Sequence, residues 1–306
     1  MFQGSMTALL TPFRDDEIQW KTMEEHIEWQ IANGTQAVIP CGTTGESPTL
    51  EFDEHKRNIE RTVAIVKGRI PVIAGTGFNN TKKTVEMTRF ARVAGADAAL
   101  VVAPYYNRPS QEGLFAHFYT IAQNVDLPMI IYNIPGRTGV DILPETMGRL
   151  ATHPNIVGVK DATADLSRVK AQAQSCGADF IQLSGEDATI IDYLAQGGHG
   201  CISVTANIAP ALCSALHKNW QDGRKAEAED IGKKLMPLHD ALFTETSPQP
   251  AKYALSKLGF GTDEMRLPLL PASEPARAAV DKAFVDVGIK TDLTYGERDT
   301  ILHHHG

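Results

Sequence analysis

The stretch Ile156-Val157-Gly158-Val159-Lys160-Asp161 is apolar on both faces until its last two residues. A run of this kind reads as a strand buried in a parallel sheet, because covering helices leave neither face to water. Lysine at its end is costly to bury unless it is paired or loses its proton. An ordinary lysine has a pKa of about 10.4, so on the order of one amine in a thousand is free at neutral pH. Burial lowers that value, which is how proteins make Schiff-base lysines. The alternative from this segment alone is a strand-end lysine that reaches solvent or pairs with Asp161.

Comparable apolar runs occur at 6–10, 37–40, 71–74, 98–103, 128–134, 180–183 and 200–205, making eight with 156–160. Helical spacing fills the gaps, as with Met23, Ile27 and Ile31 closed by Gly34, or Leu114, Phe118, Ile121 and Val125 after Pro109. Eight β-then-α units fit a closed (β/α)8 TIM barrel of the α/β class. An open doubly wound sheet is the competing fold. It usually carries a Gly-rich phosphate turn after the first strand, where this chain has Thr11-Pro12-Phe13-Arg14. The barrel is expected over 1–208. Helices at 211–220, 224–243, 249–258 and 274–287 make 209–300 the last barrel helix and a C-terminal helical extension, with Leu267-Pro268-Leu269-Leu270-Pro271 a connection inside it. Residues 301–306 form a tail with His303-His304-His305.

The 306 residues are 42% hydrophobic and 22% charged, with a net charge of −8. That balance, without charge runs, disfavours nucleic acid or an anionic membrane as partner and suits a small substrate. Cys41, Cys176, Cys201 and Cys213 form no C-x-x-C pair, as expected of reduced thiols in the cytoplasm. No run is long enough to span a membrane, and no signal peptide is expected. The ten histidines show no metal-ligand spacing.

Barrel chemistry sits at the C-terminal ends of the strands. Gly42-Thr43-Thr44-Gly45-Glu46-Ser47 offers hydroxyl and N–H donors to a carboxylate, although a plain polar turn has the same composition. Tyr105 and Tyr106 follow the fourth strand and Tyr132 ends the fifth; tyrosines there either move protons or pack. Arg137 is a permanent cation suited to a substrate carboxylate, or a surface arginine. Gly185 permits close approach of a ligand, Glu186 and Asp187 are expected to begin the next helix, and Ile202 can present its carbonyl. Cys41 reads as a buried hydrophobe.

In order along the chain stand GTTGES (42–47), PVIAGTG (71–77), PYYNRPSQEG (104–113), YNIPGRTG (132–139), GVKD (158–161) and GGHGCISVTAN (197–207). From residue 1 to about 266 the chain thereby resembles the dihydrodipicolinate synthase family, within the class I pyruvate-dependent aldolase and N-acetylneuraminate lyase superfamily. The resemblance implies a lyase that condenses pyruvate with L-aspartate 4-semialdehyde to (4S)-4-hydroxy-2,3,4,5-tetrahydrodipicolinate, in lysine and diaminopimelate biosynthesis. It implies that Lys160 forms the Schiff base and that Tyr132 is the general acid/base, relayed by Thr43 and by Tyr106 from a neighbouring subunit. Thr43 and Thr44 would hold the pyruvate carboxylate. Arg137 would bind the semialdehyde carboxylate and position Tyr132, with Gly185 and the Ile202 carbonyl completing the pocket. No metal or organic cofactor is required, since the lysine supplies the electron sink, and the assembly would be a tetramer of two tight dimers.

Ser47, His55, Asn79 and Tyr105 match a regulatory L-lysine site of many relatives. Phe52 and Lys83 replace a histidine and the glutamate that meets the inhibitor's ammonium. Reversing that charge predicts weak or absent feedback, unless Lys83 points to solvent. Two other readings stand beside the synthase: a sialic-acid or 2-keto-3-deoxy sugar acid aldolase of the same superfamily, and a non-catalytic barrel that binds or regulates.

Overall fold

The computed structural model describes residues 2–291. Residues 292–300 of the expected extension, and the tail 301–306 with its histidines, lie outside them. Eight parallel strands form one sheet: β1 (Gly4–Ala8), β2 (Ala37–Ile39), β3 (Ile73–Gly75), β4 (Ala98–Val102), β5 (Met129–Asn133), β6 (Ile156–Asp161), β7 (Ile181–Ser184) and β8 (Gly200–Ser203). Their order is β2-β1-β8-β7-β6-β5-β4-β3. A parallel bridge between Val38 and Val72 joins the two ends, so the sheet closes into the expected barrel rather than an open sheet.

The strands alternate between inside and outside, as a period of two requires, except at the start of β6, where the register against β5 shifts between Met129 and Ile130. Leu100, Ile130, Tyr132, Ile181, Leu183 and Ile202 fill the interior with Met6, Ile39 and Ile73. Ala99, Val101, Ile131 and Val159 instead face outward, in one apolar cluster with Leu114 and Phe118 of α4 (Gln111–Asn124). Register matches Tyr132 to Lys160 and Lys160 to Leu183. The pleat therefore turns Lys160 into the barrel with Tyr132, and Asp161 out of it.

Between the strands run α1 (Trp20–Ala32), α2 (Phe52–Val66), α3 (Thr81–Ala94), α4, α5 (Pro144–Leu150), α6 (Arg168–Cys176), α7 (Ile190–Ala195) and α8 (Pro210–Gln221). The extension adds α9 (Lys225–Leu242), α10 (Gln249–Lys257) and α11 (Glu274–Val287). Leu238, Leu242, Leu255, Val280 and Phe284 of these helices share an apolar cluster with Leu10, Val169 and Ile190 of the barrel. The extension is thus held by the same hydrophobic burial that holds the barrel.

Three details differ from the sequence reading. The first apolar run extends to Leu10, yet β1 ends at Ala8 and the Leu10 N–H donates to Asn207 Oδ1. The apolar runs include no strand between β1 and β2, yet Phe13–Arg14 pairs antiparallel with Glu17–Ile18 across Asp15 and Asp16, both at positive φ. Glu186 and Asp187 do not begin a helix, since α7 starts at Ile190. Asp187 is buried instead, accepting from Ser203 Oγ at 2.5 Å, Val204 N at 2.9 Å and Thr205 N at 3.1 Å. Its carboxylate satisfies the N–H groups left over where β8 breaks into a tight turn.

Candidate active site

Lys160 and Tyr132 are each only 6% exposed, on adjacent strands and in register. The Lys160 ammonium lies 4.1 Å from the centre of the Tyr132 ring. Lys160 does not reach solvent, nor does it pair with Asp161. The Asp161 carboxylate takes Thr163 N at 2.9 Å and Thr163 Oγ1 at 2.6 Å, and meets Arg168 Nε at 3.3 Å. Arg168 also pairs with Asp141 at 3.0 Å, and Asp141 accepts from Asn133 Nδ2 at 2.8 Å. The residues following Lys160 and Tyr132 are therefore linked behind the sheet by one chain of charges and amides. Those bonds hold the ends of β5 and β6 level and leave the inward faces free for chemistry.

Gly185 shows why that position is small. A Cβ there would stand 3.1 Å from Lys160 Cε and 2.8 Å from the Ala162 Cβ. Beside it, burial pushes the half-buried Glu186 carboxyl upward, helped by neighbouring Asp187 and opposed by Lys160. Ile202 lies in the interior cluster on β8, 1% exposed.

The Gly42–Ser47 loop is folded on itself, with Gly45 N on Gly42 O at 3.1 Å, Glu46 N on Thr43 O at 3.0 Å and Ser47 N on Gly42 O at 3.3 Å. Thr11 Oγ1 anchors it by donating to Gly45 O at 2.7 Å. Thr44 is buried and Thr43 half-buried. Cys41 is buried with its thiol pushed well up by desolvation, which fits a protonated packing residue.

Arg137 is not bonded to Tyr132; its Nη2 donates to the Ser247 carbonyl at 2.9 Å, at the entry to α10. Tyr106 is 88% exposed, in the left-handed region at φ 72°. Within one chain the structure brings Lys160, Tyr132 and Gly185 together and leaves Tyr106 outside the group.

Of the regulatory candidates, Asn79 Nδ2 donates to Tyr105 O at 3.1 Å, and buried His55 meets Gly75 O at 2.7 Å and the Phe78 ring at 5.6 Å. Phe52 packs near Phe78 at 6.1 Å, and Ser47 opens a single 3-10 turn. Lys83 is exposed on α3. Among the described residues no group of three or more His, Cys, Asp or Glu side chains is placed to hold a metal ion.

Two charged residues beside the site went unremarked in the sequence. Glu46, in the threonine loop, forms an ion pair with Lys252 of α10, and both side chains are 2% exposed. The signal in the sequence is weak: Lys252 is flanked by Ala251, Ala254 and Leu255, and it is the packing of α10 that buries this face.

Comparison with known proteins bears on this arrangement. The sequence model of the Dihydrodipicolinate synthetase family matches residues 1–286. A 4-hydroxy-tetrahydrodipicolinate synthase of Parvibaculum lavamentivorans is 56% identical over 94% of this chain and 99% of its own length. The crystal structure of dihydrodipicolinate synthase from Aquifex aeolicus superposes with a TM-score of 0.94 at 43% identity, covering 95% of this chain and 100% of that one. The chloride-inhibited dihydrodipicolinate synthase of Acinetobacter baumannii, complexed with pyruvate, gives 0.92 at 44% identity, covering 95% and 100%.

Proposed function

The chain belongs to the dihydrodipicolinate synthetase family, and we propose that, as a 4-hydroxy-tetrahydrodipicolinate synthase, it joins pyruvate to L-aspartate 4-semialdehyde through a Schiff base on Lys160. The observation that carries this reading is the buried, in-register pair of Lys160 and Tyr132, 4.1 Å apart from ammonium to ring centre.

The neutral Lys160 amine attacks the pyruvate ketone, and the resulting carbinolamine loses water to give a protonated imine. That iminium draws electrons from the neighbouring methyl group, which gives up a proton and becomes an enamine. The enamine carbon attacks the semialdehyde carbonyl, whose oxygen takes up a proton. The amine of the second substrate then attacks the imine carbon, closes the ring and releases Lys160. Tyr132 moves protons in these steps, with Thr43 and Tyr106 of the partner subunit as its relay. The exposure of Tyr106 supports a role across a dimer interface. Thr43 and Thr44 hold the pyruvate carboxylate. Arg137 receives the semialdehyde carboxylate, and Gly185 and the Ile202 carbonyl border the reacting carbon. A homotetramer of tight dimers in the cytoplasm fits this reading; among the described residues no helix is long and apolar enough to cross a membrane.

Ser47, His55, Asn79 and Tyr105 would line a regulatory L-lysine site; Lys83 is exposed in the single chain, so weak or absent feedback requires that a partner subunit close the site over it, where its charge opposes the inhibitor's ammonium. An inhibition constant for L-lysine in the sub-millimolar range would reject that part.

Borohydride reduction with pyruvate, followed by peptide mapping, tests the core of the proposal: the adduct is expected on Lys160. A protein that forms no adduct is a binding barrel rather than a lyase. Cleavage of sialic acid or a 2-keto-3-deoxy sugar acid, without condensation on aspartate semialdehyde, would assign a different aldolase.

A further inference from the structure

Lys252 is the other deeply buried lysine of the barrel's catalytic end, and the reaction has no use for it. Desolvation lowers its pKa, opposed by the charge and hydrogen bond of Glu46. Its ammonium is paired with Glu46 Oε2 and lies 4.1 Å from the centre of the Phe13 ring. The other carboxylate oxygen, Oε1, accepts from the Arg266 backbone N–H at 3.1 Å. Arg266 stacks on the same Phe13 ring at 4.4 Å and pairs with Asp16 and Glu54, each at 2.7 Å. Both groups that hold Glu46 come from the C-terminal extension.

Glu46 is a poor choice for a residue whose only task is to fill space. Its backbone is left-handed, at φ 57°, a conformation that costs a non-glycine residue energy and persists where surrounding contacts impose it. In this conformation its N–H bonds Thr43 O, which closes the turn carrying Thr43 and Thr44. Five residues before Lys252, at the entry to the same helix, the Ser247 carbonyl receives Arg137. One short segment of the extension therefore grips the threonine loop on one side and the arginine loop on the other.

We infer that Lys252 is a positioning residue, acting through Glu46 to set the threonine loop against the pyruvate carboxylate, so that the C-terminal extension is part of the catalytic apparatus rather than an appendage. The inference rests on the assignment of Thr43 and Thr44 to that carboxylate. Misplacing a binding group by about 1 Å costs on the order of 100-fold in rate.

The test compares Lys252→Met with the double variant Lys252→Met/Glu46→Gln, in full-length protein. The single variant strands a buried carboxylate and can fail to fold; the double variant removes both charges and keeps the acceptor for Arg266 N–H. Readouts are the thermal midpoint, KM for each substrate, kcat, and the rate at which pyruvate and borohydride label Lys160. The double variant is expected to regain a near-normal midpoint, yet to show kcat/KM for pyruvate lowered on the order of 100-fold and slower labelling. KM for the semialdehyde should move less. A folded double variant with normal pyruvate KM and labelling rate overturns the inference, because the pair is then only structural. Failure of the wild-type protein to label on Lys160 rejects the proposed function instead.

Discussion

Two lysines are buried within the same molecule, and they differ in what surrounds the nitrogen. Lys252 on α10 has a carboxylate against it, an aromatic face beneath it and a second cation on that ring's other contacts. Lys160 on β6 has the Tyr132 ring, the space left by Gly185, and no ion pair among the described residues. A buried ammonium held by a carboxylate gains from staying charged and is fixed in place. One offered no such partner has its nitrogen free of an ion pair. The comparison teaches that two buried lysines can be held in opposite ways, one locked in an ion pair and one left without a contacting anion among the described residues.

The largest effect should follow from removing Lys160, the proposed Schiff-base lysine. Lys160→Met is expected to abolish turnover and the borohydride adduct while leaving the unfolding transition in place, since methionine suits a buried site; a residual adduct elsewhere in the barrel would break the contrast. Tyr132→Phe keeps the ring beside Lys160 and removes only the hydroxyl, so kcat should fall about 10²- to 10⁴-fold. A change smaller than that would make Tyr132 a wall rather than a proton carrier. For the structural member, Lys252→Met should cost about 3–5 kcal/mol in a urea titration, because Glu46 is left buried without its cation, and Glu46→Gln in the same chain should return most of it. Equal instability in the double variant would mean that the lysine stem, not its charge, matters. The smallest effect is expected for Gly185→Ala: its new methyl group presses on Lys160 Cε and Ala162, costing about 1–3 kcal/mol of stability and slowing adduct formation. An unchanged adduct rate would show that Lys160 has room to move.

Much of this was legible in the residues. Eight apolar runs announced eight strands because a parallel barrel buries both faces of each. The same signal overreached where burial continues without pairing: Leu9 and Leu10 are apolar and buried, but β1 has ended. It missed the ribbon at Phe13–Arg14 and Glu17–Ile18, since two residues per strand are too few for a period. In the site, Lys160 stood out because its neighbours are uniformly apolar. Lys252 did not, because an amphipathic helix carries lysines on its solvent face as a rule, and its register against the barrel is needed to see that this one points inward. Asp187 misled for a related reason. An acidic residue after a strand suggests a helix start, but its partners, Ser203, Val204 and Thr205, arrive from the end of β8 and the turn after it.

By itself the sequence determined the barrel, the family and the buried strand-end lysine, since each depends on local pattern: apolar period, turn composition, a charge where none is cheap. Only the tertiary structure decided which lysine has a counter-charge, that Arg137 is held by Ser247 and that the C-terminal helices grip the threonine loop. Those facts rest on contacts between residues as far apart as 46 and 252, and electrostatic interaction depends on distance in space, which spacing along the chain does not report.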